Sequence, residues 1–397
     1  MTDAVRPFLF VPRYWPAVGG AELHSRRLAQ ELAHHVPIEV ARCCSSEDVV
    51  TDYAFAHARS ERVDDGPIPV HTIAPPALWR APLGMLSHAA KGSRLARGAY
   101  GRAARVAAAS SLQRASRDAD VLHGIYNGFT PGAEALQSLG KPFVWTPLAH
   151  TTKPEGTAWS SPGFKRLYRK ADALIAMTEY EREWLIGQGA QSSRVHVAPM
   201  APLFDSDIPD PAGFKVRLGL TDVPFVLFLG RTAEYKGYRA VLAAAEQVWQ
   251  SHPDVRFVFA GPLTEAAQRA FAEHTDPRII ATGPLSGADK KSALAACTAL
   301  AVPSTEESLG VVYLEAWSFE KPVIAADIPA MRSVIDHEED GLLVTPEGAA
   351  VAAAIETILQ HPGRAQRMGA KGARKVEAKY NWAAIANAHL KIYNAIL

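Results

Sequence analysis

Three short stretches carry residues whose types and spacing can handle a phosphorylated ligand. The first is Arg231-Thr232-Ala233-Glu234-Tyr235-Lys236-Gly237, which follows the apolar run Phe225–Gly230. A guanidinium fork and a movable ammonium on one loop can hold a diphosphate and stabilise the charge that grows on it as it leaves. The same two charges also suit a solvated surface loop. The second stretch runs from Ser304 to Glu315, after the apolar run Ala299–Pro303. Glu307 stands at the mouth of a helix expected from near Gly310, and Glu315 follows eight residues later, a spacing that puts both on one helical face. Carboxylates accept hydrogen bonds from sugar and ribose hydroxyls. The backbone N–H groups of Leu309, Gly310 and Val311 can cap a phosphate. Acids favour helix N-termini in any case, which accounts for Glu306 and Glu307 better than for Glu315, set among Val312, Leu314, Ala316 and Trp317. The third stretch is Gly19-Gly20 before a helix, where a backbone can approach a phosphate closely; a tight strand-to-helix turn explains the same pair. No G-x-G-x-x-G dinucleotide fingerprint occurs in the chain.

The elements that must position these loops are legible in the hydropathy. Short apolar runs recur at Phe8–Pro12, Ile38–Arg42, Val70–Ile73, Val121–His123, Phe143–Thr146, Leu174–Met177 and Val195–Ala198. A second series lies at Phe225–Gly230, Val255–Ala260, Ile279–Thr282, Ala299–Pro303, Pro322–Ala326 and Leu342–Val344. The runs are continuous rather than alternating, as in strands buried on both faces of a parallel sheet. Helical stretches such as Ala21–His34, Ala240–Trp249 and Val311–Phe319 lie between them. The alternation breaks over Ala201–Gly213, which holds Pro202, Pro209 and Pro211 and reads as a linker. The expectation is an α/β chain of two doubly wound domains, 1–203 and 204–378. A last helix over 379–397 is too apolar to stand alone and is expected to return to the first domain. In open parallel sheets ligands bind beyond the carboxyl ends of the strands, where all three stretches lie.

Composition excludes several classes. Lys plus Arg number 42 against 41 acids, so no global field draws nucleic acid. Three cysteines without a C-x-x-C pair argue against zinc or redox chemistry and suit a reducing compartment. The apolar run Phe8–Pro12 is too short for a signal core, and no run reaches a membrane span, so the reading is a cytoplasmic protein. Two D-x-D triplets, Asp118-Ala119-Asp120 and Asp205-Ser206-Asp207, stand before a strand and in the linker. Neither lies at a strand's carboxyl end, and no metal is expected.

Taken together, Glu307-Ser308-Leu309-Gly310-Val311-Val312-Tyr313-Leu314-Glu315 resembles the E-x7-E motif of the family-four retaining glycosyltransferases of the GT-B fold. Arg231…Lys236-Gly237 resembles that family's G-R-x4-K-G loop, and Val18-Gly19-Gly20-Ala21-Glu22 its N-terminal G-G-A-E. Phe143–Thr151 resembles the family's strand that ends in a histidine, and the closing Asn381-Trp382 helix the one that returns to the N-domain. The resemblance implies two Rossmann-like domains facing a central cleft, and a nucleotide-diphosphate sugar as donor without a cofactor. It implies that Gly230, Arg231 and Lys236 hold the donor diphosphate, and that Glu307 binds the transferred sugar. Leu309, Gly310 and Val311 would line the donor, Glu315 would bind the ribose, and Gly20 would press on the diphosphate from the first domain. His150 would touch the sugar, and Thr151 and Lys153 would face the acceptor. The catalytic set implied is Glu307, His150, Arg231 and Lys236. Leu309 stands where the family usually has phenylalanine, and Ile125 where it often has a second histidine, which leaves His123 a structural residue.

The partners implied are a UDP- or GDP-sugar and an acceptor, with no nucleic acid. A sugar-nucleotide epimerase on the same fold, or a sugar-nucleotide-binding protein without activity, would use the same donor residues. One further feature is the segment Arg80–Arg117, with eight Lys or Arg and no acid. Lys91, Arg94, Arg97, Arg102 and Arg105 fall on one side of a helix, Gly92, Gly98 and Gly101 weaken it, and few large apolar residues oppose the charges. The expectation is a solvated basic face rather than one that meets a membrane.

Overall fold

The computed structural model describes residues 4–46, 51–204 and 206–397. Asp205, of the second D-x-D triplet, lies outside them. The chain divides into two compact units, Met1–Met200 with Trp382–Leu397, and Ala201–Asn381.

The first unit holds eight strands among the described residues: β1 (Pro7–Phe10), β2 (Glu39–Arg42), β3 (Glu61–Asp65), β4 (Ile68–Thr72), β5 (Val121–Ile125), β6 (Phe143–Thr146), β7 (Ala173–Ala176) and β8 (Val195–Val197). They pair in the order β3-β4-β2-β1-β5-β6-β7-β8. All neighbours are parallel except β3 and β4. The sequence pattern misses β3, whose residues Glu-Arg-Val-Asp-Asp are almost all exposed. An edge strand lacks the apolar content that marks a buried one, but Asp65-Gly66 before β4 is a hairpin signal, and Gly66 has φ +63.

The second unit orders its strands β11-β10-β9-β12-β13-β14, all parallel. They are β9 (Phe225–Leu229), β10 (Arg256–Ala260), β11 (Ile279–Gly283), β12 (Ala299–Val302), β13 (Val323–Ala326) and β14 (Gly341–Val344). The linker ends earlier than its prolines suggest. Pro211 opens a helix, Pro211–Arg217, in which Asp210 caps by accepting from the Gly213 N–H at 2.9 Å. At the first helical position proline lacks only a donor that would be unpaired anyway.

Val226, Leu227 and Phe228 of β9 are fully buried, as are Phe8, Leu9 and Phe10 of β1. Each large apolar side chain so placed is worth about 1.5–3 kcal/mol, so the central strands are rigid mounts for the loops at their carboxyl ends. In each sheet the connections reverse direction beside one strand, β1 against β5 and β9 against β12. The crevice at such a switch point is where ligands bind.

The last helix, Trp382–Ala395, packs on the first unit. Tyr393 shares a 2.7 Å hydrogen bond with Nδ1 of His123 on β5, whose Nε2 bonds the Thr146 hydroxyl at 2.7 Å. His123 is fully buried and both ring nitrogens are used, so it serves the packing of this helix.

Candidate active site

The switch point of the second unit lies between the loops that follow β9 and β12. After β9 the chain passes Gly230 and the exposed Arg231 and makes a 3-10 turn over Glu234–Lys236. Thr232, next to Arg231, is buried. Its hydroxyl donates to the Pro262 carbonyl at 3.1 Å, and its own carbonyl accepts from the Thr264 hydroxyl at 2.8 Å. Arg231 is thus aimed by a pinned backbone, while its guanidinium has no hydrogen-bond or ion-pair partner among the described residues. Gly237, at φ +79, closes the turn, and a Cβ there would overlap the Pro303 carbonyl oxygen. Only glycine lets this loop lie against the end of β12, which explains the Lys-Gly pair physically. The Thr305 N–H then donates to the Tyr235 carbonyl at 2.7 Å, tying the two loops together.

Their charged groups meet there. Lys236 Nζ lies 2.5 Å from Glu307 Oε1, with both side chains largely shielded from solvent. Burial opposes the Lys236 charge, but the Glu307 carboxylate outweighs it and holds the ammonium above its ordinary range. Beyond Glu307 the helix begins at Val311, after Gly310 at φ +71, where a Cβ would strike the Tyr313 ring. The N–H groups of Leu309, Gly310 and Val311 have no acceptor among the described residues.

This corrects the shared-face expectation for the two glutamates. Glu307 lies four residues before the helix, and only Glu315 is on it. Glu315 has its own partner: Lys290 Nζ at 2.6 Å from Oε1, with the Leu203 N–H donating to the same oxygen at 3.3 Å. Burial pushes the Glu315 carboxyl up, and the Lys290 ammonium pulls it back. Lys290 comes from the helix Gly287–Ala296, so no sequence motif linked it to Glu315.

In the first unit the loop between β1 and the helix Gly20–Ala33 is braced across the switch point. The buried Glu22 carboxylate accepts from Arg13 Nε at 2.7 Å and from Asn127 Nδ2 at 3.1 Å, and Asn127 Oδ1 accepts the Arg13 N–H at 3.1 Å. Asn127 lies just beyond β5, a role the sequence did not reveal. A Cβ on Gly19 would overlap the Glu22 carboxylate, whereas one on Gly20 would meet nothing within 4 Å. The backbone of Gly20 therefore borders open space.

His150 follows β6 on a loop that passes through Leu148 at φ +49. Its ring stacks on Trp159, with centroids 4.9 Å apart and planes 10° from parallel. Trp159 is held by its indole N–H on the Pro147 carbonyl at 2.8 Å. Glu181, fully buried, accepts the Ala149 and Met177 N–H groups, each at 2.7 Å. Burial pushes its carboxyl up to about 7, and the two backbone bonds work the other way. Thr178-x-x-Glu181 has capping-box spacing, but the carboxylate has been diverted to steady the residue before His150. Thr151 Oγ1 is buried without a partner among the described residues, and the Lys153 N–H donates to the His150 carbonyl at 3.3 Å. Of the first D-x-D triplet, Asp120 accepts the Arg6 N–H at 2.9 Å and Asp118 is exposed.

Residues 214–375 match the family described as "Glycosyl transferases group 1", and residues 19–201 the "Glycosyl transferase 4-like domain". The phosphatidyl-myo-inositol mannosyltransferase of Mycobacterium leprae is 30% identical over 286 residues, which cover 70% of this chain and 74% of that protein. The chain belongs to the family-four glycosyltransferases of the GT-B fold. Among relatives of this family-four chain, the D-inositol 3-phosphate glycosyltransferase of Xylanimonas cellulosilytica is 31% identical over 248 residues. That match spans 58% of this chain and 58% of the relative's length. The solved structure of Anabaena HepE in complex with UDP-glucose superposes with a TM-score of 0.74 at 18% identity, covering 98% of this family-four chain and all of that one. At that identity the likeness is one of fold.

Proposed function

We propose that the protein is a retaining, metal-independent glycosyltransferase that moves a sugar from a UDP- or GDP-sugar to a hydroxyl of a glycan, lipid or small-molecule acceptor. The observation that carries this reading is the Lys236–Glu307 pair, set beside the amides of Leu309, Gly310 and Val311 and the Arg231 guanidinium, none of which has a partner among the described residues. That grouping offers two cations and three donors to a diphosphate and a carboxylate to a sugar. In this reading Arg231, Lys236 and the Gly230 backbone take the diphosphate, Glu307 takes the sugar hydroxyls, and Glu315 takes the ribose. On the first unit, Gly20 gives its backbone to the diphosphate, His150 orients the sugar, and Thr151 and Lys153 serve the acceptor.

The reaction is a front-face substitution. The bond from the anomeric carbon to the β-phosphate oxygen breaks, and the acceptor oxygen bonds the same face of that carbon. The acceptor's proton passes to the departing phosphate oxygen, and the nucleoside diphosphate leaves. The protein supplies position and charge stabilisation, with Arg231 and Lys236 in the electrostatic role a metal ion has elsewhere. No protein carboxylate becomes glycosylated.

Thermal melts with a panel of nucleotide sugars test the donor site. A bound donor at about 100 times its Kd adds about 2.7 kcal/mol of stability. Gly20→Ala should leave the melt of the free protein unchanged, because a Cβ at that position has open space. The donor-induced shift should shrink. A full shift in Gly20→Ala would remove Gly20 from the site; no shift with any nucleotide sugar would remove the donor site itself.

A further inference from the structure

Glu181 is a fully buried carboxylate with no cation beside it among the described residues. It fills the place where two strands separate. β6 and β7 pair through Val144 with Ala173 and Trp145 with Leu174, and then part. Pro147 follows β6 without an N–H for the ladder, and Leu148 at φ +49 turns the chain away. The N–H groups of Ala149 and Met177, both buried, are left without a strand between them. Glu181 Oε1 accepts the first and Oε2 the second, each at 2.7 Å. The carboxylate reaches them from the first turn of the helix Glu179–Gly187, where the Thr178 hydroxyl caps by accepting the Glu181 N–H at 3.0 Å.

A buried charge without a counter-ion is costly, and a glutamine would be easier to bury. Its amide, however, has one acceptor and one donor, so it meets one of the two N–H groups with an N–H of its own. A protonated carboxyl falls short in the same way, because one of its oxygens then carries a hydrogen. The ionised form alone closes both bonds. We propose that Glu181 is a positioning residue for sugar transfer: its carboxylate rivets the loop after β6 to the end of β7 and so fixes His150, the residue after Ala149. The role rests on the transferase reading, in which His150 orients the sugar. Trp159 holds the plane of the His150 ring, and the clamp at Ala149 sets where the backbone carries that ring. Burial pushes the Glu181 carboxyl up to about 7, so the clamp is complete above that pH and opens below it. The titratable group that faces it is the Tyr168 hydroxyl, on the helix Pro162–Lys170, which donates to the Trp159 carbonyl at 2.8 Å. Burial and then the Glu181 charge hold the Tyr168 proton well above its usual range, so that group stays neutral throughout.

Release of nucleoside diphosphate by the full chain, with UDP-glucose and GDP-mannose as donors, tests the role. Above neutral pH, Glu181→Gln should lower kcat about 10- to 100-fold, the effect of misplacing a reacting group by about 1 Å. The melting shift given by UDP or GDP alone should match the wild type, because the residues proposed for the ribose and diphosphate lie on other loops. The wild-type kcat should fall as pH drops through about 7 and the Glu181→Gln kcat should not, so the two converge in acid. Adding Glu181→Gln to His150→Ala should change kcat little further, since a residue that acts through His150 then has nothing to position. Hydrogen exchange of the wild type reads the clamp without any variant: protection of the Ala149 and Met177 N–H groups, corrected for the intrinsic rate, should fall over the same pH interval. An unchanged kcat in Glu181→Gln, full additivity with His150→Ala, or protection that stays flat across about pH 7 would each overturn the role. No release by the wild type from either donor, or from any other nucleotide sugar of the panel, would overturn the transferase reading and the role with it.

Discussion

Replacing Arg231 with alanine should lower turnover about 10²-fold or more, the size of effect seen when one preorganised partner of a developing anion is lost. The melting temperature should not move, because Arg231 is exposed and unpartnered among the described residues. Lys236→Ala should match that loss of turnover and also destabilise the protein. It strands the Glu307 carboxylate, of which only 9% is exposed, without its cation. Breaking a fully buried pair costs about 3–5 kcal/mol. Lys236 keeps some solvent contact, so about 1–3 kcal/mol is the fitting range. Steady-state kinetics and thermal melts of both variants separate the two effects. Activity of Arg231→Ala within about threefold of wild type would mean that its loop stabilises no transition-state charge.

The second large effect is acid lability of the helix that closes the first unit. His24, His123 and His389 are fully buried around the contact between the helices Gly20–Ala33 and Trp382–Ala395. His24 stacks on Trp382 at 5.7 Å with both ring nitrogens unpartnered among the described residues. Burial, and then the nearby His389, lower it to about 3. Burial lowers His389 to about 4, against the pull of its bond to the Ile385 carbonyl, and burial with the other two histidines holds His123 well below the usual range. All three shifts are depressions, so the unfolded chain binds more protons than the folded one below about pH 6.5. Stability should therefore be complete above that pH and fall towards pH 4, by up to about 1.4 kcal/mol per pH unit for each histidine that titrates only on unfolding.

Glu181 and Glu315 are raised and act in the opposite sense, losing stability as pH rises from about 4.5. The raw curve mixes both signs, so the useful quantity is the difference between wild type and His24→Phe. That change keeps a ring against Trp382 and removes two unpaired nitrogens. The variant should gain on the wild type steadily as pH falls from 6.5 to 4. Parallel curves over that interval would show that His24 is not a neutral buried group.

The loops proposed to hold the donor were legible because each is local. A buried parallel strand is a continuous apolar run, and Arg231, Lys236 and Glu307 lie within a few residues of one, with Glu315 on the helix that follows. The glycines were legible as a type but not in their reasons. Gly237 is required by the Pro303 carbonyl, about 66 positions away in sequence, and Gly19 by Glu22. Residues that act through distant partners left no signal. Lys290 neutralises Glu315 from another helix, Asn127 braces Arg13 from beyond β5, and Glu181 steadies Ala149 from the first turn of the helix Glu179–Gly187. Periodicity misled at two places. It put Glu307 and Glu315 on one helical face, although Glu307 lies before the helix whose start near Gly310 was expected, and it ran a single helix over residues 91–105, where Gly92 and Ser93 divide two. In each case a glycine or a cap at one position outweighed the pattern of its neighbours.

The central claim is that this chain breaks the bond between a nucleoside diphosphate and its sugar with retention, without metal and without a glycosylated carboxylate. It is read most directly by proton NMR of the slow transfer to water. The nucleotide sugar giving the largest thermal shift is incubated with the protein in EDTA, and the anomer of the first free sugar is recorded before mutarotation. Intact mass of the wild type and of Glu307→Gln is taken in parallel. The account predicts release of nucleoside diphosphate, a first-formed sugar with the donor's own anomeric configuration, and no added sugar mass on either protein. An inverted first anomer, a glycosyl adduct on Glu307, or an epimerised donor with no diphosphate released would contradict it.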